Sequence, residues 1–120
     1  LFVLGKGKNM EFTESLKKNY QFRFVYNRGK SIANKYLVMY VLKNGKDINH
    51  LGVSVSKKVG ISFVRSRVTR LIKESYRLSE KNIKSGFDIV VIARTSCNGA
   101  SYESVNKSLN HFLKKHDLFV

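Results

Sequence analysis

Eight consecutive residues, FDIVVIAR from Phe87 to Arg94, constrain this chain more than any other segment. The run is apolar and β-branched without alternation, which suits a strand buried on both faces. A chain of 120 residues has one core in which to bury it, since single domains typically run to about 100–150 residues. A hydrophobic fraction of 42% supplies that core and argues against general disorder.

The rest of the chain organises around that strand. Proline is absent, so glycine and short polar clusters carry all the punctuation. Asn19 to Gly29 reads as a helix with Asn19 as N-cap and Gly29 just past its end. Phe22, Val25 and Tyr26 then share one face. Ser31 to Leu42 reads as a strand, with Tyr36, Val38 and Tyr40 on one face and Leu37, Met39 and Val41 on the other. Lys43 to His50 contains Asn44-Gly45 and reads as a hairpin turn, leading to a strand from Leu51 to Ser56.

Val64 to Leu78 has the pattern of the best helix in the chain, with Val64, Val68 and Leu71 as its apolar stripe and Ile72 beside it. Ser101 caps a last helix that runs to Lys115, with Tyr102, Val105, Leu109, Phe112 and Leu113 inward. The order is helix, two or three strands, helix, strand, helix. That is an α+β class: a single small domain around one sheet, spanning residues 10–120. Residues 1–9, LFVLGKGKN, read as an extension before Met10 and are set aside from the fold.

Charge narrows the function. Lys and Arg number 23 against 8 Asp and Glu, a net charge of +15. A compact domain with that excess repels itself, and a polyanion is the partner that neutralises it. A single cysteine, Cys97, allows neither a disulfide nor a thiolate metal cage. No apolar run reaches the roughly 18–20 residues of a membrane span, so no membrane partner is expected. The N-terminus lacks the charged-then-apolar order of a signal peptide, so the compartment reads as cytoplasmic.

Protein-based catalysis has little to stand on. The carboxylates, Glu14, Asp47, Glu74 and Asp88 among them, are scattered, and no two sit at a spacing typical of acid/base or two-metal work. His50 falls in the predicted turn. His111 and His116, five apart, do not share a helix face for a metal. Cys97 has no local partner and reads as a loop residue. Neither a catalytic residue nor a metal ligand is assigned, and no small-molecule substrate is expected.

Two constellations point to nucleic acid. On the predicted Val64–Leu78 helix, Arg65, Arg67, Arg70, Lys73 and Arg77 form a basic ridge away from the apolar stripe. Guanidinium forks match phosphate oxygens, and several in a row track a backbone. The plainer reading is a solvated charged face. Against it, Glu74 is the only acidic residue between Lys57 and Arg77. Lys57 and Lys58 lie where the strand turns into this helix and extend the patch. The second constellation is aromatic: Phe22 and Tyr26 on the first helix, with Tyr36 or Tyr40 nearby and Lys17, Lys18, Arg23 and Arg28 around them. Stacked bases and neutralised phosphates hold single strands in such a setting. From spacing alone, however, these rings read more readily as core.

The segment LGVSVSKKVGISFVRSRVTRLIKESYR, Leu51 to Arg77, resembles the signature of the bacterial ribonuclease P protein component. Leu16 to Tyr40, the FDIVVIAR strand and the basic C-terminal helix resemble it too, so the likeness covers the chain from Met10 onward. Ser66 stands where that family has Asn between two arginines, and Ile61-Ser62 replaces its Asn-Ala.

The resemblance implies a subunit of an RNA-based endoribonuclease that removes the 5′ leader of precursor tRNA. Ribonuclease P RNA and precursor tRNA are the implied partners. Lys57, Lys58, Arg65, Arg67, Arg70 and Lys73 would face the catalytic RNA, while Phe22, Tyr26, Tyr40 and Lys18 would line a cleft for the leader, which reverses the core reading of the rings. The protein would bind no cofactor tightly, with Mg²⁺ on the RNA. A left-handed crossover between the two parallel strands is also implied, although such connections are right-handed in about 98% of cases. Two rival readings are a general RNA-binding or ribosomal protein, which needs no aromatic cleft, and a protein-only nuclease, which needs an acidic or histidine cluster.

Overall fold

The structure, a computed structural model, describes residue 10 and residues 12–120. The reading of residues 1–9 as an extension lies outside the described residues. The elements are β1 (Thr13–Ser15), α1 (Asn19–Arg28), β2 (Lys30–Ala33), β3 (Leu37–Lys43), β4 (Asn49–Ser54), α2 (Ser62–Ser79), β5 (Phe87–Ala93) and α3 (Tyr102–Lys115). Short 3-10 turns at Glu80–Asn82 and Thr95–Cys97 flank β5. The five strands form one mixed sheet in the order β1-β4-β5-β3-β2. The α+β expectation holds.

β5 is the middle strand, as its unbroken apolar pattern demands. It runs parallel to β4 and antiparallel to β3. Ile89, Val90 and Val91 are fully buried, because alternate side chains enter different layers. Ile89, Val91 and Ala93 join Leu37, Met39 and Leu51 in the larger core, which also holds Val68, Ile72 and Tyr76 of α2 and Leu109 and Phe112 of α3. Val90 points the other way, to a smaller core with Leu16 and Val25 under α1.

Several sequence expectations are corrected. The Ser31–Leu42 strand is two strands, β2 and β3, because the Asn34 side chain accepts hydrogen bonds from the backbone N–H groups of Tyr36 and Leu37, both at 2.9 Å, and turns the chain. The Asn44-Gly45 segment does turn, with Gly45 at φ 72°, but it does not make a hairpin. β5 lies between β3 and β4, and the Asn44 amide is drawn across its end to donate to the Asp88 carboxylate at 3.0 Å.

Lys18, not Asn19, is the N-cap of α1. The Gln21 side chain accepts from the N–H groups of Lys17 and Lys18 at 3.0 and 2.9 Å and supplies the closure. β1 has no apolar pattern of its own: three polar residues hold strand geometry by parallel pairing to β4. On α2 the fully buried line is Val68, Ile72, Ser75 and Tyr76, with Val64 and Leu71 at its half-buried margins.

At α3 the Ser101 hydroxyl accepts from the Ser104 N–H at 3.1 Å, the expected cap. Among the described residues, no helix is long and apolar enough to cross a membrane.

Candidate nucleic-acid interface

α2 lies on the sheet so that its arginines do not form one ridge. Arg65, Arg70, Lys73 and Arg77 line a groove of about 920 Å³ between α2 and the β1–β4 edge. Arg67 is turned to the other flank, where its Nη2 donates to the Ala100 carbonyl at 3.0 Å. At 3.6 residues per turn, a residue three positions before Arg70 lies some 60° around the helix, enough to leave the groove. The predicted line of cations is therefore a groove of four, with Arg67 apart.

Within the groove the cations differ in freedom. Arg77 makes a bidentate ion pair with Glu74, at 3.0 and 2.7 Å, and is largely neutralised. Arg65 is pinned by donation from its Nε to the Gly60 carbonyl at 3.2 Å. Arg70 and Lys73 are exposed, and no ion pair found among the described residues engages them. Ser66 is exposed on the groove wall, where a hydroxyl occupies the place of the longer amide.

Lys57 and Lys58 are exposed on the turn between β4 and α2, outside the groove lining. The turn is held by its neighbours. Val59 is buried in the larger core. Gly60 packs against the first turn of α2 so closely that a Cβ there would come within 2.8 Å of Val64 Cγ1. A Lys-Lys-x-Gly sequence thus plugs the core with its third residue and presents the lysines with its first two. Ile61 and Phe63 follow, each more than 70% exposed; they add apolar surface that the charge pattern gave no reason to expect.

On the opposite sheet face, α1 crosses β3, β4 and β5. Val25 is its one fully buried residue. Phe22, Tyr26 and Tyr40 are half-buried, with ring centroids 6.4 Å apart for Phe22–Tyr26 and 5.0 Å for Tyr26–Tyr40. Each of the three rings packs against the small core without being fully enclosed by it. Burial pushes the Tyr26 phenol above its ordinary pKa, opposed by its hydrogen bond with Ser54, while Tyr40 adds to the rise. Lys18 is exposed at the N-terminus of α1. Tyr36 is not with this group; it packs against the larger core at the far end of β3.

Sequence reasoning missed the polar end of this face. His50 is in β4, not a turn. Its register partners are Glu14 on β1 and Asp88 on β5. Its Nδ1 lies 2.7 Å from Asp88 Oδ1 and its Nε2 3.5 Å from Glu14 Oε1. No local spacing could have revealed it, since the three residues come from three separate strands. Cys97, read as a loop residue, is fully buried, with its Sγ 3.1 Å from the Tyr36 carbonyl. Burial raises its thiol pKa, the opposite of what a nucleophile needs. Among the described residues, no group of three or more His, Cys, Asp or Glu side chains is placed to hold a metal ion.

Comparison with known proteins identifies the family. The family model for Ribonuclease P matches residues 10–117. The ribonuclease P protein component of Lachnoclostridium phytofermentans is 55% identical over 106 residues, covering 88% of this chain and 91% of that one. Its counterpart in Clostridium acetobutylicum is 54% identical over 107 residues, covering 88% and 90%. Among solved structures, the Staphylococcus aureus RNase P protein superposes with a TM-score of 0.81 at 36% identity, covering 88% of this chain and 97% of that chain. The Thermotoga maritima RNase P protein gives 0.77 at 33% identity, covering 85% and 96%. With a family model matched over residues 10–117 and relatives more than half identical across most of its length, the chain belongs to the ribonuclease P protein family.

Proposed function

We propose that this chain works as the protein subunit of a ribonucleoprotein ribonuclease P, binding the catalytic RNA and the 5′ leader of precursor tRNA to assist removal of that leader. The observation that carries the reading is the separation of two unlike surfaces by one sheet. The α2 face offers exposed cations, Arg70 and Lys73 with Arg65, in a groove that suits a phosphate backbone. The α1 face offers three ring edges, Phe22, Tyr26 and Tyr40, beside Lys18, which suits unpaired bases. A protein with both can hold a folded RNA and a single strand at once.

In this reading Lys57 and Lys58, on their rigid turn, join Arg65, Arg70 and Lys73 against the catalytic RNA. Arg67 contributes by holding the α3 entrance in place, and its remaining donors reach RNA from the other flank. The endoribonuclease activity belongs to the assembled particle. Mg²⁺ favours phosphate oxygens while keeping several waters. The metal ions therefore belong to the RNA in this account. The protein's part is to offset repulsion between two polyanions with its charge of +15.

The test is reconstitution. Added to a bacterial ribonuclease P RNA at low Mg²⁺, the chain is expected to restore cleavage of precursor tRNA at the mature 5′ end. Failure to restore it, with RNA binding intact, would leave a general RNA-binding protein. Cleavage by the chain without RNA would establish a protein-only nuclease instead.

A further inference from the structure

A third surface belongs to neither of these. The β2–β3 turn meets α3 across an open groove of about 720 Å³, at the end of the sheet away from the α2 groove. Lys35 stands on the turn, and Lys107, His111 and Lys114 stand on α3. Tyr36 and Phe119 are the aromatic members, both half-buried. Among the described residues no carboxylate lines the groove, and no ion pair found among them engages its lysines.

The turn is built to present its side chains. All three of its carbonyls are engaged by the segment that follows β5. Arg94 donates from Nη1 to the Asn34 carbonyl at 3.0 Å, and the Ser96 hydroxyl donates to that of Lys35. The Tyr36 carbonyl accepts from the Arg94 N–H at 2.8 Å and faces the Cys97 thiol at 3.1 Å. The Asn34 amide donates to the Ser108 hydroxyl on α3 at 2.9 Å, so the two walls are tied together. The Lys35 ammonium lies over the Tyr36 ring, 4.9 Å from its centroid, and the lysines of α3 stand opposite. A concave site whose described lining offers cations and rings on tied walls has the chemistry of a single-strand RNA groove.

We propose that the groove between the β2–β3 turn and α3 is a third RNA-binding surface, taking the phosphodiester backbone of a single strand on Lys35, Lys107 and Lys114. The strand can come from the catalytic RNA or from the substrate, and the experiment separates them. In the first measurement the full chain, labelled for amide NMR, is titrated with a ten-nucleotide oligouridine. Saturable shifts are expected at residues 34–36 and 107–114. The Lys107→Ala/Lys114→Ala double variant should abolish them and leave those of the α1 cleft. Lys35→Ala repeats the test from the other wall, and a thermal melt of each variant shows that it is folded.

In the holoenzyme, removing two phosphate contacts to a single strand should flatten the log–log salt dependence of binding by about 1.4, at roughly 0.7 per contact. A flattened slope for assembly with the catalytic RNA assigns the strand to that RNA. A flattened slope for precursor tRNA assigns it to the substrate. The proposal is overturned if the native chain shows no shifts in this groove, if they persist in folded variants, or if both slopes are unchanged.

Discussion

Phe22 rests directly on the α-carbon of Gly52, so that a methyl group there would come within 2.7 Å of two ring carbons. The ring belongs to α1 and the glycine to the strand beneath it, so the absence of a side chain on β4 sets how closely α1 can approach the sheet. Leu16 Cβ, at 3.2 Å from the same point, leaves little room on the other side. Gly52→Ala should therefore overpack the small core, costing about 1–3 kcal/mol, and lift Phe22 outward. Denaturant unfolding reads the first effect. Weaker holoenzyme binding of precursor tRNA with a leader, and unchanged binding of mature tRNA, reads the second.

The arginines of α2 should divide by what they touch. Arg70→Ala and Lys73→Ala remove exposed cations with no carboxylate partner found among the described residues, and should leave the melting temperature nearly unchanged. Each should weaken affinity for the catalytic RNA and shallow its salt slope by about 0.7–0.9. Arg67→Ala breaks the bond to the Ala100 carbonyl and should cost about 1 kcal/mol of stability as well. Paired melts and salt titrations on the three variants separate the two behaviours.

Free cations held close together should also condense small anions. Sulfate should raise the melting temperature beyond chloride at matched ionic strength, because a ligand at ten times its Kd stabilises by about 1.4 kcal/mol. The Arg70→Ala/Lys73→Ala variant should lose most of that gain. An equal gain in the variant would place the anion elsewhere.

His116 supplies a pH dependence. It closes α3 half-buried, with its Nε2 3.3 Å from the Met39 carbonyl. Burial lowers its pKa below the usual 6.5, helped by Lys30 and opposed by the Met39 carbonyl. The unfolded chain thus takes up this proton at a higher pH than the folded one. Its contribution is present above about pH 6.5 and is lost as pH falls through the lower folded value. Unfolding free energies at pH 7 and pH 5 should differ less in His116→Gln, which keeps a donor for Met39 but cannot titrate.

Much of the fold was legible because it is written in local pattern. The unbroken run of β5, the Ser101 cap and the alternation of β3 each follow from one segment. What escaped depends on distant partners. β1 is a strand only because β4 offers it an edge, and nothing in Thr13–Ser15 announces that. β5 enters between β3 and β4 from forty residues downstream, so an Asn-Gly turn that looks like a hairpin joins strands that never pair.

The same division holds for the site. The charge run singles out Arg70 and Lys73 as candidates, and helical spacing puts Phe22 and Tyr26 on one face without separating a core role from a binding one. The desertion of Arg67 to Ala100 and the meeting of His50 with Glu14 and Asp88 needed the tertiary structure. The family resemblance, rather than spacing, is what proposes a cleft role for the aromatic rings.

The account turns on whether those rings hold the leader. Tyr26 is the ring to remove, since it touches both Phe22 and Tyr40. The deciding measurement is the holoenzyme's affinity for precursor tRNA carrying a leader of several nucleotides, set beside its affinity for mature tRNA, with native chain and with Tyr26→Ala. One lost stacking contact should weaken precursor binding by about 1–3 kcal/mol and leave mature tRNA binding and RNA assembly almost unchanged. Equal weakening of both substrates, together with a stability loss of about 3–5 kcal/mol, would show the ring to be core alone and contradict the leader cleft.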